Sequence, residues 1–199
     1  MGSTDYEFRT VWRVAGTPEE VVAALGDATT LPLWWPSVYL SAEPVAGGPE
    51  PAPGLPRPTR LHTKGWLPYT LRWTLTVTEP ITGRGFALTA AGDLNGTGRW
   101  TFEEDGPETV ITYDWRVSAA KPLLRQLSWL LKPAFAANHR WAMARGQESL
   151  ALELRRRRAA AGSVSGRTAT GPAAVPPPPP PTFAWLTRRA ARTGTQTAA

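Results

Sequence analysis

The stretch KPLLRQLSWLLKPAFAANHRWAMARGQESLALELRRRR, residues 121–158, decides how the rest of the chain is read. Proline has no amide hydrogen and its ring collides with the preceding turn. A break is therefore expected near Lys132, with a short helix before it and a long helix that starts at Pro133. At 100° per residue, Phe135, His139, Ala142, Met143, Gly146 and Leu150 share one face, while Arg140, Gln147, Glu148 and Arg155 share the other. His139 falls near the middle of the apolar face, so a ring with a polar edge is aimed at whatever the helix covers. Ala142 and Gly146 are small where a tightly packed helix usually carries Leu or Ile, and they are expected to leave space.

Upstream, the chain reads as a sheet built to wrap that helix. DYEFRTVWRV, residues 5–14, alternates Tyr6, Phe8, Trp12 and Val14 with Glu7, Arg9 and Arg13, the pattern of a half-buried strand. Thr17, with Pro18 and Glu20 behind it, makes a capping box for a helix ending near Leu25 or Gly26. A second short helix over residues 30–35 is stopped by Pro36. Further strands are expected over residues 38–45, 60–66, 70–79, 85–91, 97–104 and 109–117. The clearest is 70–79, where Leu71, Trp73, Leu75 and Val77 alternate with Arg72, Thr74, Thr76 and Thr78. The Gly- and Pro-rich run after residue 45 is a loop. Short connections between long strands imply a curved antiparallel sheet, an α+β chain of order β-α-α-β6-α.

Aligning the alternations turns Trp12, Trp73, Phe86, Leu88, Trp100, Phe102, Tyr113 and Trp115 toward the long helix. Trp is rarely buried completely because its indole N–H needs a partner, so such a cluster suits the wall of a pocket, although a plain aromatic core is the simpler alternative. His139 likewise has two readings. It is either a core histidine, donating to a carbonyl or capped by Tyr113, or the polar group of the pocket, able to exchange a proton with a ligand. Asn138 and Arg99 fall beside and behind the face. Asp114 and Arg116 point to the outside of their strand, and Asp93 sits in a turn.

Composition removes whole classes of chemistry. With no cysteine among 199 residues there is no disulfide, thiolate nucleophile or cysteine-ligated metal. His62 and His139 are far apart in sequence, which argues against a histidine-rich metal site. No Ser-His-Asp order, phosphate loop or paired carboxylate stands out, and GRGFALTAAG lacks the strand-turn-helix setting of a dinucleotide fingerprint. The net charge of +6 is uneven, with residues 1–154 carrying −2 and residues 155–199 carrying +8. A nucleic-acid groove on the folded part is therefore not expected. No apolar run reaches membrane-spanning length and the N-terminus lacks a signal pattern, so a cytoplasmic location is expected.

Two units are expected: a ligand-binding domain over residues 1–158 and a disordered Pro-rich basic tail over 159–199. The tail contains six consecutive prolines, 176–181, a stiff rod by composition. Phe183, Trp185 and Leu186 with Arg188, Arg189 and Arg192 could make a weak contact with an anionic surface or a protein.

GWLPYTLRWTLTVTEP, GDLNGTGRW, ITYDWRV, KPLLRQL and NHRWAMARGQESL together resemble the SRPBCC superfamily of START-like, Bet v 1-like proteins, and within it bacterial polyketide cyclase/dehydrase-type proteins. The resemblance covers about residues 5–156. It implies a helix-grip fold, seven strands around the C-terminal helix with a hydrophobic cavity between, and a lipid- or polyketide-like ligand. No catalytic motif is shared across the superfamily. His139 and Asn138, with the tryptophans including Trp35, are carried over as pocket candidates only. Three functions are compatible with this: a carrier of a hydrophobic small molecule, a cyclase or dehydratase using His139 as acid/base without metal or cofactor, or an interaction protein working through its tail.

Overall fold

The computed structural model describes residues 5–47, 50–119, 128–164 and 175–182. Strand β1 (Asp5–Ala15) leads into α1 (Pro18–Leu25), a 3-10 turn (Ala28–Thr30) and α2 (Leu31–Trp34). Strands β2 (Tyr39–Pro44), β3 (Thr59–Lys64), β4 (Thr70–Val77), β5 (Gly85–Gly92), β6 (Leu94–Asp105) and β7 (Glu108–Ala119) follow, and α3 (Ser128–Val164) closes the order. All seven strands form one antiparallel sheet in the order β1-β7-β6-β5-β4-β3-β2. A curved sheet gripping one long C-terminal helix is the helix-grip fold that the alternations and the helical stripe pointed to.

The N-terminus of α1 follows its sequence signature. Thr17 Oγ1 accepts from the Glu20 amide at 3.4 Å, while Glu20 returns a carboxylate oxygen to the Thr17 amide at 2.9 Å. That carboxylate also receives Arg158 Nη2 at 2.6 Å, and the same guanidinium donates to the Ala15 carbonyl at 2.9 Å. Arg157 reaches the Ala23 carbonyl at 2.7 Å and Gln147 the Arg13 carbonyl at 3.0 Å. Leu150 and Leu154, both fully buried, complete the seam. The C-terminal half of α3 is thus bolted to β1 and α1, which leaves its N-terminal half to border anything hollow.

Two expectations about this helix need correction. The break near Lys132 is absent, because α3 runs on with Pro133 inside it. A proline there removes a single i→i−4 bond near the start of a 37-residue helix, and the remaining ladder carries the backbone through. The expected short helix before it falls mainly on residues outside those described. At the other end α3 continues to Val164, past the domain end expected at residue 158. Within the segment expected to be a tail, Thr182 hydrogen-bonds to Lys64 and to the Gly65 carbonyl. The basic segment 183–192 lies outside the described residues.

Candidate functional site

Antiparallel order gathers at one end of the sheet the first residues of β1, β2, β4 and β6 and the last of β3 and β7. A partly open cavity of about 170 Å³ lies there beneath the N-terminal half of α3. The sheet lines it with Tyr6 and Phe8 of β1, Leu71 and Trp73 of β4, and Tyr113, Trp115 and Val117 of β7; α3 contributes Phe135, Asn138, His139, Ala142 and Met143. Trp35, Tyr39, Lys64, Gly65 and Tyr69 close the remaining side. An apolar cavity of about 150 Å³ takes up benzene, whereas drug-sized sites need roughly 300 Å³ or more. In this conformation the space therefore suits one ring.

Apart from Lys64 at its edge, whose pKa burial lowers, its polar groups are uncharged. The His139 ring stacks on Phe8 with centroids 4.0 Å apart and 17° between planes, rather than being capped by Tyr113. His139 Nε2 is shut off from solvent with no hydrogen-bond partner among the described residues. Burial, assisted by the neighbouring Arg140 charge, pushes its pKa down to about 4, so the imidazole is uncharged at neutral pH. Burial raises the Tyr39 and Tyr113 phenols, and pushes Tyr69 up to about 12 with a smaller contribution from Tyr6. These hydroxyls keep their protons as hydrogen-bonding groups. Trp73 Nε1 is spent on Thr63 Oγ1 at 3.1 Å, while the buried Trp35 Nε1 has no partner among the described residues.

The aromatic candidates divide between wall and core. Trp35, Trp73, Tyr113 and Trp115 line the cavity together with Phe135, Asn138, His139, Ala142 and Met143. Trp12, Phe86, Leu88, Trp100 and Phe102 are buried in the core and do not line it. Trp100 stacks beneath Tyr113 at 3.9 Å, Trp12 packs on Trp35 at 5.6 Å and on Trp100 at 5.4 Å, and Phe86 meets Phe102 at 6.2 Å. The gap of about 30 Å³ left among Phe86, Leu88 and Trp100 has room for at most one water. The plain-core reading holds for this half of the sheet. Gly146 is a correction of a different kind. It leaves no space, because a Cβ there would lie 2.3 Å from Trp35, whose ring takes the room the missing side chain vacates.

Asn138 does more than line the wall. Its Oδ1 accepts from the Trp66 and Leu67 amides at 2.9 and 3.3 Å, tying the 65–69 turn to α3. Gly65 makes that approach feasible, since a Cβ there would sit 2.0 Å from the same oxygen. Phe8, Tyr39, Lys64, Gly65 and Tyr69 were not among the sequence candidates. Phe8 shares the inward alternation of Tyr6 and Trp12, so a signal for it existed. The turn residues carried none. Arg99 pairs with Glu79 at 2.9 Å, Asp114 with Arg9 at 3.8 Å and Arg116 with Glu7 at 3.5 Å, all away from the cavity. Among the described residues no group of three or more His, Cys, Asp or Glu could hold a metal, and no helix is long and apolar enough to cross a membrane.

Residues 6–155 match the family model described as polyketide cyclase / dehydrase and lipid transport. No curated protein sequence matches the chain. Among solved structures, the Zhui aromatase/cyclase from Streptomyces sp. R1128 superposes with a TM-score of 0.60 at 18% identity, covering 79% of this chain and 98% of that one. The protein TTHA0849 from Thermus thermophilus gives 0.58 at 18%, covering 73% and 97%. The di-domain aromatase/cyclase BexL of the BE-7585A biosynthetic pathway gives 0.54 at 19%, covering 74% of this chain and 50% of that one. At such identities the likeness is one of fold.

Proposed function

We propose, for a chain that belongs to the polyketide cyclase / dehydrase and lipid transport family, that the cavity under α3 binds and carries a hydrophobic, ring-containing small molecule. The observation that carries this reading is the cavity wall itself: aromatic faces from β1, β4, β7 and α3 around a space of one-ring size, with Lys64 the one charged side chain among the lining residues described. A ring placed against Trp73, Tyr113 and Trp115 gains apolar burial worth about 25 cal/mol per Å². His139 Nε2 and Trp35 Nε1, each buried without a partner among the described residues, become available to a ligand oxygen only if the rings that cover them shift.

The charge state of His139 favours carriage over catalysis. An acid/base catalyst works best with a pKa near the operating pH, and a histidine titrating at about 4 holds almost no proton at pH 7 and takes one weakly. The cyclase or dehydratase reading needs that pKa to rise when a substrate enters. His139→Gln separates the two: under the binding reading, affinity for a ring-containing ligand stays within about tenfold of wild type. Native mass spectrometry of the purified full chain, followed by organic extraction, identifies what the cavity holds. Saturable one-to-one uptake by both proteins supports binding and carriage. Turnover that disappears in His139→Gln, with uptake retained, would replace that reading with catalysis.

A further inference from the structure

An outer groove of about 710 Å³ lies beside the cavity, and Tyr39, Lys64 and Tyr69 border both. Pro32, Pro36 and Pro68 line it, and Pro181 from the tail forms part of its wall. Proline-rich segments dock on aromatic and proline surfaces at low entropic cost, because the ring already fixes φ. Thr182 then makes two polar contacts. Its carbonyl accepts from the buried Lys64 Nζ at 2.6 Å, and its Oγ1 donates to the Gly65 carbonyl at 3.0 Å. Gly65 opens the 65–69 turn, whose next two amides are held by Asn138. The turn bounding the cavity is thus held by α3 on one side and by the tail on the other.

We propose that the proline segment ending in Pro181 and Thr182 forms an intramolecular strap that closes one wall of the outer groove and clamps the 65–69 turn over the mouth of the cavity. Chain length allows the connection within one molecule. Asn138 lies against Gly65, and from Asn138 to Val164 the helix rises about 39 Å at 1.5 Å per residue. The residues from Val164 to Thr182 reach at most about 60 Å when extended, enough for the return with limited slack. The strap gives the small cavity a consequence: a ring passes the 65–69 turn only when the turn moves, and the strap opposes that movement. This gating rests on the cavity-binding reading, whereas the docking and the clamp do not.

Hydrogen exchange of the full chain without ligand tests the clamp. The comparison is wild type against a variant with Pro178, Pro179, Pro180 and Pro181 changed to Ser and Thr182 to Gly, all beyond the family-matched residues 6–155. The Trp66 and Leu67 amides are expected to exchange at least about fivefold faster in the variant, with β5–β7 unchanged. Equal rates at Trp66 and Leu67 would overturn the strap. Wild-type protection should not change over a hundredfold range of protein concentration, and a dependence on concentration would overturn its intramolecular character. Gating is read separately, from the association rate of a single-ring apolar fluorophore, expected to be several times faster in the variant. An unchanged rate overturns gating. A fluorophore that enters neither protein sinks the cavity-binding reading, and the clamp then stands or falls on the exchange rates.

Discussion

Replacing His139 by Phe removes the imidazole from the cavity while keeping a planar ring stacked on Phe8, and it should make the protein more tolerant of acid. The folded state holds the His139 pKa at about 4, below the ordinary 6.5, because burial penalises the charged ring. As pH falls below 6.5 the unfolded chain takes up this proton before the folded one. Stability attached to His139 is therefore present above about 6.5, lost between 6.5 and 4, and not lost further below. At 1.36 kcal/mol per unit the loss is about 2–3 kcal/mol, the lower end allowing for water around a half-buried ring. Urea unfolding followed by tryptophan fluorescence from pH 7.5 to 4 reads it as a difference between the two proteins, in which their shared carboxylates cancel. Wild type should lose about 2–3 kcal/mol more than His139→Phe over that interval. A difference that stays constant with pH would show that His139 titrates alike in the folded and unfolded chains.

Gly146→Leu should destabilise the fold by about 1–3 kcal/mol through collision with Trp35, without filling the cavity; an unchanged urea midpoint would show that Trp35 moves aside freely. Glu20 has its pKa lowered to about 2, first by the hydrogen bond from Arg158 and then by the Thr17 amide. That contribution is present above about 4.5 and lost as pH falls toward 2, so Glu20→Gln should cost about 1 kcal/mol at pH 7, given its partial exposure, and flatten the unfolding profile in that window. Asn138→Ala leaves the Trp66 and Leu67 amides without their acceptor and should cost about 1–2 kcal/mol, with faster exchange confined to the 65–69 turn.

Much of the architecture was legible because period-2 and period-3.6 patterns depend only on neighbours in sequence. The alternation in residues 70–79 became β4, Thr17 with Glu20 became a capping box, and the stripe from Phe135 to Leu150 became the buried face of α3. What failed depended on distant partners. Gly146 reads as a void unless Trp35, 111 residues earlier, is known to lie against it. Likewise Asn138 looks peripheral by helical angle until the turn at Gly65 folds onto it. Pro133 reads as a breaker because its local cost is plain, whereas the cooperativity of the helix around it is not. Inward tryptophans cannot be sorted into wall and core by alternation, since both share a sheet face and differ only in position along the strand. The contact between Thr182 and Lys64 joins segments 118 residues apart, and nothing in a proline run names its groove.

The cavity under α3 is expected to hold an apolar ring, and the ten tryptophans supply their own reporters. Each indole N–H gives a separate signal in a nitrogen-15 spectrum of the full chain, and ethylbenzene is a probe of suitable size. Titration should shift the signals of Trp35, Trp73 and Trp115 together, saturating at one ring per chain, while the exposed Trp66 stays in place. Signals of Trp35, Trp73 and Trp115 that never move, or shifts confined to Trp66, would contradict the account.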